Sequence, residues 1–263
     1  SRFDGHTWEQ EDRGLYGRLH RPDVPTNWMD NIELLGDTVN YTVLLEPTNR
    51  NWMFSLTMPE TIDKKGVGLV RDFRFYSFRE IRSKFRYDVT SHFNYQLDKE
   101  LTPFWRYRYT LLPEDGNPRS IALAKNIYAN STDNAAFIQN VLRMYNLQEF
   151  VYTLKPTKLG EDSVDGFLLD ERRGFCEHYS GSFVFLMRAV GIPARVVVGY
   201  QGGEYNRIGN YVEVRQYDAH AWAEVWLEGR GWIRVDPTSA VAPERIERGL
   251  ESAVQGEDTF LAN

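Results

Sequence analysis

Cysteine is nearly missing from this sequence: one residue, Cys176, in 263. A single thiol excludes any disulfide within the chain. One cysteine and five histidines also show none of the paired spacings that hold zinc, so no metal and no other cofactor is expected. Positive charge is not in excess, with 31 Lys and Arg against 37 Asp and Glu for a net charge of -6. These charges are interspersed, and without a basic run to neutralise phosphates nucleic acid is not an expected partner. The chain has no run approaching the roughly twenty apolar residues of a membrane helix, and no charged-then-apolar signal segment at its start. It reads as a soluble piece. The opening Ser1-Arg2-Phe3 lacks an initiator methionine, which points to processing or to a longer parent.

What the chain does have is aromatic and apolar residues in number enough for a packed core. From Phe3 to about Leu112, "VNYTVLLEP", "VRDFRFYSF" and "FRYDVTSHFNYQL" alternate in the manner of half-buried strands. Pro22, Pro25, Pro47, Pro59 and Pro103 and Gly36, Gly66 and Gly68 punctuate them as turns. An antiparallel sheet or sandwich over 1–115 is expected. After "LLPEDGNP" the texture changes. Ile121, Ala124, Ile127 and Tyr128, then Phe137, Val141, Leu142 and Tyr145, recur at helical spacing, with Ser131-Thr132-Asp133 as a cap. An extended "FVYTL" and a helical "DSVDGFLLDER" lead to "RRGFCEHYSGSFVFLMRAVGIPAR", where Phe183, Leu186, Met187 and Val190 predict a helix from Cys176 to about Ala189, closed by Gly191. Strand candidates "ARVVVGY", "AHAWAEVWL" and "GWIRVDP", with "YVEVRQY" as a fourth, finish the chain. Helices followed by a mostly antiparallel sheet make an α+β domain over 116–263.

A lone cysteine is usually a buried small hydrophobe. Cys176, however, stands where a helix begins, and there the partial positive charge and open N–H groups favour a thiolate and can hold an oxyanion. A thiolate nucleophile needs a histidine base and a group to orient it. His220 opens one strand and Asp236 closes the next, with the turn at Glu228–Gly231 between them, so a hairpin brings their side chains to one end of the ladder. The order that follows is attack by Cys176, proton transfer through His220, and orientation of the imidazole by Asp236.

The segments "GFCEHYSGSFVFLMRAVGIPARVVVGY", "DAHAWAEVWL" and "GWIRVDPT" resemble the three catalytic motifs of the transglutaminase-like superfamily. The surrounding runs are similar to a bacterial branch whose transglutaminase-like domain faces the periplasm between membrane segments. The resemblance implies a papain-like core, with helices packed on an antiparallel sheet, preceded by a β-rich domain. It puts the nucleophile on Cys176, the base on His220 and the orienting acid on Asp236, with a protein or peptide as substrate. It implies transfer of a glutamine-type acyl group through a thioester to an amine, in a domain anchored by segments outside this chain. The same chemistry serves a peptidase or amidase acting on peptides or cell-wall material, and water exclusion decides between the two. A non-catalytic assembly module is the remaining alternative.

Other candidates carry less. Tyr152, upstream of the nucleophile, is a candidate oxyanion donor, and Trp222, two residues from His220 on the same strand face, a candidate cleft wall. His178 and Glu177 follow Cys176 on its helix, and His178 is expected to pack or support and not to react. His6, His20 and His92 show no acidic or thiol partner. Asp218 is either a turn residue or a support of the His220 loop.

Overall fold

The computed structural model describes residues 1–5, 7–9, 31–69 and 73–244. The expectations for His6, His20, Pro22, Pro25 and the start of "VRDFRFYSF" fall outside them. The chain forms two compact units, one of Asp12–Lys99 and one that joins Ser1–Glu11 to Glu100–Asn263. The dividing point is thus Lys99–Glu100 and not the change of texture near residue 115.

The chain opens with a short antiparallel hairpin of β1 (Arg2–Phe3) and β2 (Trp8–Glu9), which belongs to the second unit. The first unit carries β3 (Ile32–Leu45), β4 (Pro59–Asp63), β5 (Val67–Leu69), β6 (Phe75–Ser77) and β7 (Phe85–Leu97). β7 is the centre of an antiparallel sheet in the order β3-β7-β4, and β5 pairs with β6. The alternation of β7 buries Tyr87, Val89 and Ser91 on one face, and Tyr87 and Val89 join Met53, Phe75 and Ile81 in the core. The register of β3 against β7 shifts between Leu35 and Thr38, and Gly36 there takes a φ of +70° that a side chain resists. His92 does have an acidic partner: its Nε2 lies 3.1 Å from Glu60 Oε2. The pairing of β4 with β7 creates it, and no sequence spacing announces it.

The second unit begins, after β1 and β2, with a short helix α1 (Pro103–Arg108) that the strand-rich reading of this region does not anticipate. Its start is conventional in hindsight, with Thr102 accepting from Trp105 N–H and a proline in the first turn. Helices α2 (Pro118–Ala129) and α3 (Asn134–Leu147) follow, the second capped by Asp133, whose carboxylate accepts from Ala136 N–H at 2.8 Å. β8 (Val151–Tyr152) leads to a short helix α4 (Ser163–Asp165) that runs on as a π-helical turn over Gly166–Glu171. Asp165 accepts from the N–H groups of Arg119 and Ser120, tying this turn to the start of α2. β9 (Arg173–Gly174) pairs in parallel with β8 and delivers the chain to α5 (Cys176–Ala189).

α5 is the central helix of this unit, with every residue from Tyr179 to Arg188 buried. It ends as expected: Gly191, at φ +79°, donates to Arg188 C=O and Ile192 donates to Met187 C=O. β10 (Ala194–Tyr200), β11 (Glu204–Asn206), β12 (Tyr211–Glu213), β13 (Ala219–Leu227) and β14 (Gly231–Val235) complete the unit. The sheet is antiparallel in the order β10-β13-β14, and α5 packs on β13 and β10. The segment read as a fourth strand of this sheet instead forms β12, which among the described residues pairs with β11 in a separate hairpin. A tight turn follows it, in which Asp218 accepts from Arg215 N–H at 2.8 Å and Gln201 N–H donates to Asp218 C=O, closing the hairpin off before β13 starts.

Candidate active site

Cys176 occupies the first turn of α5, preceded by Phe175 in extended conformation as N-cap. It is buried, and belongs to the same packed cluster as Tyr152, Tyr179 and Ala221, the neighbour of His220. Two features hold this turn. His178, at the third helical position, accepts the Phe175 N–H at Nδ1 over 3.4 Å, while His178 N–H donates to Phe175 C=O at 2.8 Å. A histidine here does the work usually given to glutamate or glutamine in a capping box. Burial, partly offset by the Phe175 contact, pushes the His178 imidazole below its ordinary range, which suits a ring that accepts at Nδ1. The second feature is Gly174: a methyl added there would lie 2.7 Å from His178 Cγ and 2.9 Å from Phe167 Cε2. Only glycine lets the chain pass beneath that ring and enter the helix.

The parallel pair of β8 and β9 sets Tyr152 against Gly174, and Thr153 N–H donates to Gly174 C=O at 2.8 Å. Tyr152 is therefore fixed to the strand that delivers the cysteine. Its ring stacks at 6.4 Å on Tyr179, one turn along α5 from Cys176.

His220 and Asp236 meet as the hairpin arithmetic predicts. The register sets Ala223 opposite Val235, hence Trp222 level with Asp236 and His220 on the diagonal of the same face. His220 Nε2 lies 2.8 Å from Asp236 Oδ2, with the two side chains 0% and 8% exposed. Asp236 is held in turn: its Oδ1 accepts from Thr238 N–H at 3.2 Å, making it the cap of a single 3₁₀ turn over Pro237–Ala240. With a carboxylate accepting at Nε2, that nitrogen carries the ring proton and Nδ1 presents its lone pair. His220 Nδ1 is buried and without a hydrogen-bond partner among the described residues.

Trp222 stands beside His220, with ring centroids 6.4 Å apart and planes 26° from parallel. It spreads over Gly199, where a methyl would lie 2.8 Å from Trp222 Cη2. Arg234, which the sequence reading passed over, lies with its guanidinium 4.9 Å from the Trp222 ring and donates to Asp236 Oδ2 at 3.2 Å. The signal was present: Arg234 is on β14, two residues before Asp236, whose backbone continues extended past the strand's end, so the two share a face.

Residues 121–237 match the transglutaminase-like superfamily, and residues 1–98 match the TgpA N-terminal domain. Motif, fold and match agree, and the chain belongs to the transglutaminase-like superfamily, a class of acyl-transfer enzymes. Within it, the chain is similar to the crystal structure of the periplasmic domain of TgpA from Pseudomonas aeruginosa. The TM-score is 0.81 at 42% identity, over 85% of this chain and 77% of that one. A Pseudomonas aeruginosa protein named protein-glutamine gamma-glutamyltransferase is 40% identical over 262 residues, all of this chain but 38% of that protein. The uncharacterized protein YebA of Bacillus subtilis is 28% identical over 90% of this chain and 35% of its own length. The chain spans well under half the length of these two relatives.

Proposed function

We propose that this chain transfers glutamine-type acyl groups of proteins or peptides through a thioester on Cys176, with His220 as proton carrier and Asp236 as the group that orients it. The observation that carries the reading is the buried 2.8 Å hydrogen bond between His220 Nε2 and Asp236 Oδ2, which leaves Nδ1 as the ring's acceptor. The thiol proton passes to Nδ1, and the thiolate adds to the carboxamide carbon. The resulting oxyanion forms at the start of α5, where the helix dipole favours negative charge, with Tyr152 as a further donor. Collapse breaks the C–N bond, the imidazolium returns its proton to the leaving nitrogen, and ammonia departs. An amine then takes the acyl group from sulfur by the same steps in reverse order.

Transfer to an amine is favoured over hydrolysis by burial, since Cys176 is 8% exposed and the His220 side chain 0%, and a thioester formed there is shielded from bulk water. Trp222 forms part of that wall. Macromolecular substrates are supported by the surface at the same end of the ladder. There the β11–β12 hairpin and its flanks expose Val198, Tyr205, Ile208, Tyr211 and Val212, an apolar and aromatic surface of the kind that marks interaction sites. The likeness to the TgpA structure, described as a periplasmic domain, supports an extracytoplasmic location; anchoring by membrane segments outside this chain is part of the same proposal.

The test is incorporation of a fluorescent alkylamine into a glutamine-containing donor protein, with products identified by mass. Cys176→Ala is expected to abolish incorporation, and His220→Ala and Asp236→Asn to slow it by about 10² to 10⁴-fold. Undiminished incorporation by Cys176→Ala sinks the mechanism. A new carboxylate in place of an isopeptide assigns the domain to hydrolysis. Alkylation of Cys176 no faster than that of a simple thiol would point to an assembly module.

A further inference from the structure

The carboxylate oxygen that receives His220 receives a second donor. Arg234 Nη2 lies 3.2 Å from Asp236 Oδ2 and 2.7 Å from Gln201 Oε1, so one nitrogen spans the end of β14 and the residue after β10. The same guanidinium lies 4.9 Å from the ring of Trp222, which stacks beside His220. Its other end is open, the side chain being 41% exposed while Asp236 is 8% exposed. A surface pair of this kind usually contributes little to stability. Here its anion is almost fully buried, and the contacts converge on the two groups that set the position of the imidazole.

We infer that Arg234 is a positioning residue of the acyl-transfer site: it fixes the Asp236 carboxylate in the rotamer that holds His220 and pins Trp222 across the other side of the ring. Without it, the imidazole is the one donor left to Oδ2 among the described residues, and Asp236 is otherwise held from the Oδ1 side by Thr238 N–H. The carboxylate can then turn, and His220 turns with it. The loss falls on the chemical step and not on substrate capture, because Arg234 acts on the base and not on the acyl group.

Both hydrogen bonds leave from a single nitrogen, and this makes the inference testable by a conservative change. A lysine ammonium carries three donors on one atom and can serve Asp236 and Gln201 together, whereas methionine fills the volume and serves neither. Because the inference rests on the catalytic reading of His220 and Asp236, Asp236→Asn is measured alongside. The readouts are kcat and KM for alkylamine incorporation, the rate of iodoacetamide alkylation, which reports Cys176 alone in a chain with one cysteine, and thermal melting.

Arg234→Met is expected to lower kcat by about 10 to 100-fold with KM unchanged, as loss of supporting contacts does at other preorganised sites, and Arg234→Lys to recover most of it. Alkylation should slow in the same order. Should Arg234→Met not fold, Arg234→Gln, which keeps a donor but no charge, takes its place. A fall confined to KM, or no recovery by lysine in a protein that melts normally, overturns the role of Arg234. An Asp236→Asn variant with full activity overturns the catalytic reading itself, whatever Arg234 does.

Discussion

At the scale of single residues, the start of α5 shows how chemistry and folding share one turn. His178 accepts the Phe175 N–H and must do so as a neutral ring, and burial holds its imidazole below the ordinary value near 6.5. The unfolded chain therefore binds a proton at a pH where the folded chain does not. The stability this contributes is fully present above the unfolded value and is lost as the pH falls through the lower folded one. Glutamine at this position keeps a cap acceptor and cannot titrate. Wild type should thus lose more stability than His178→Gln between pH 7 and pH 5, measured by urea denaturation at each pH; parallel losses in the two proteins would show that His178 is not the titrating group. The position of His178 on α5 was legible from helical periodicity, but its capping role was not, because a histidine at that place does not spell the Ser/Thr-x-x-Glu pattern by which such caps are read.

At the scale of elements, the sheet is held across its strands as well as along them. Arg195 and Glu224 face each other in the β10–β13 register, with Arg195 Nε donating to Glu224 Oε2 at 2.7 Å and the guanidinium 4.1 Å from the Trp232 ring. Their side chains are 22% and 15% exposed. Removing one partner of such a pair leaves a charge with little water to repay it, so Glu224→Ala should cost about 3 to 5 kcal/mol in chemical denaturation. Replacing both residues with methionine should cost clearly less, and a double variant as unstable as the single one would refute this account. Period and punctuation made most elements legible: β7, α5, β10 and β13 follow from apolar alternation or from Gly191. The meeting of His220 and Asp236 was legible for the same reason, since a hairpin with a defined turn fixes which residues share an end and a face. What period cannot reveal is partnership. "YVEVRQY" alternates well but pairs with β11 and not with the sheet, Glu60 reaches His92 from another strand, and Gly174 is demanded by a ring four residues away in sequence.

At the scale of the whole molecule, the unit that carries the candidate site is discontinuous in sequence. Phe3 is 5% exposed and packs its ring 5.6 Å from Phe185 on α5, while Trp8 lies against Gly181 of that helix, 4.8 Å from the Arg188 guanidinium. Arg188, itself buried, divides its donors among Ala194 C=O, Leu111 C=O and Ser1 C=O. Burial pulls its guanidinium down to about 10, helped by the nearby Arg108 and opposed by Tyr109, so it remains charged at neutral pH and needs every acceptor it has. A piece of the chain beginning at Glu100 keeps the whole candidate site yet loses the burial of Phe3 and one acceptor of Arg188. Together these are worth about 3 to 6 kcal/mol. Such a piece should melt well below a fusion in which residues 1–11 are joined to residue 100 through a flexible Gly-Ser linker. Added as a free peptide, residues 1–11 should raise its melting temperature with a dependence on peptide concentration, because a segment that binds only the folded form stabilises it by mass action. Equal melting of the shortened piece and the fusion would mean that the opening hairpin rests on the rest of its unit without supporting it.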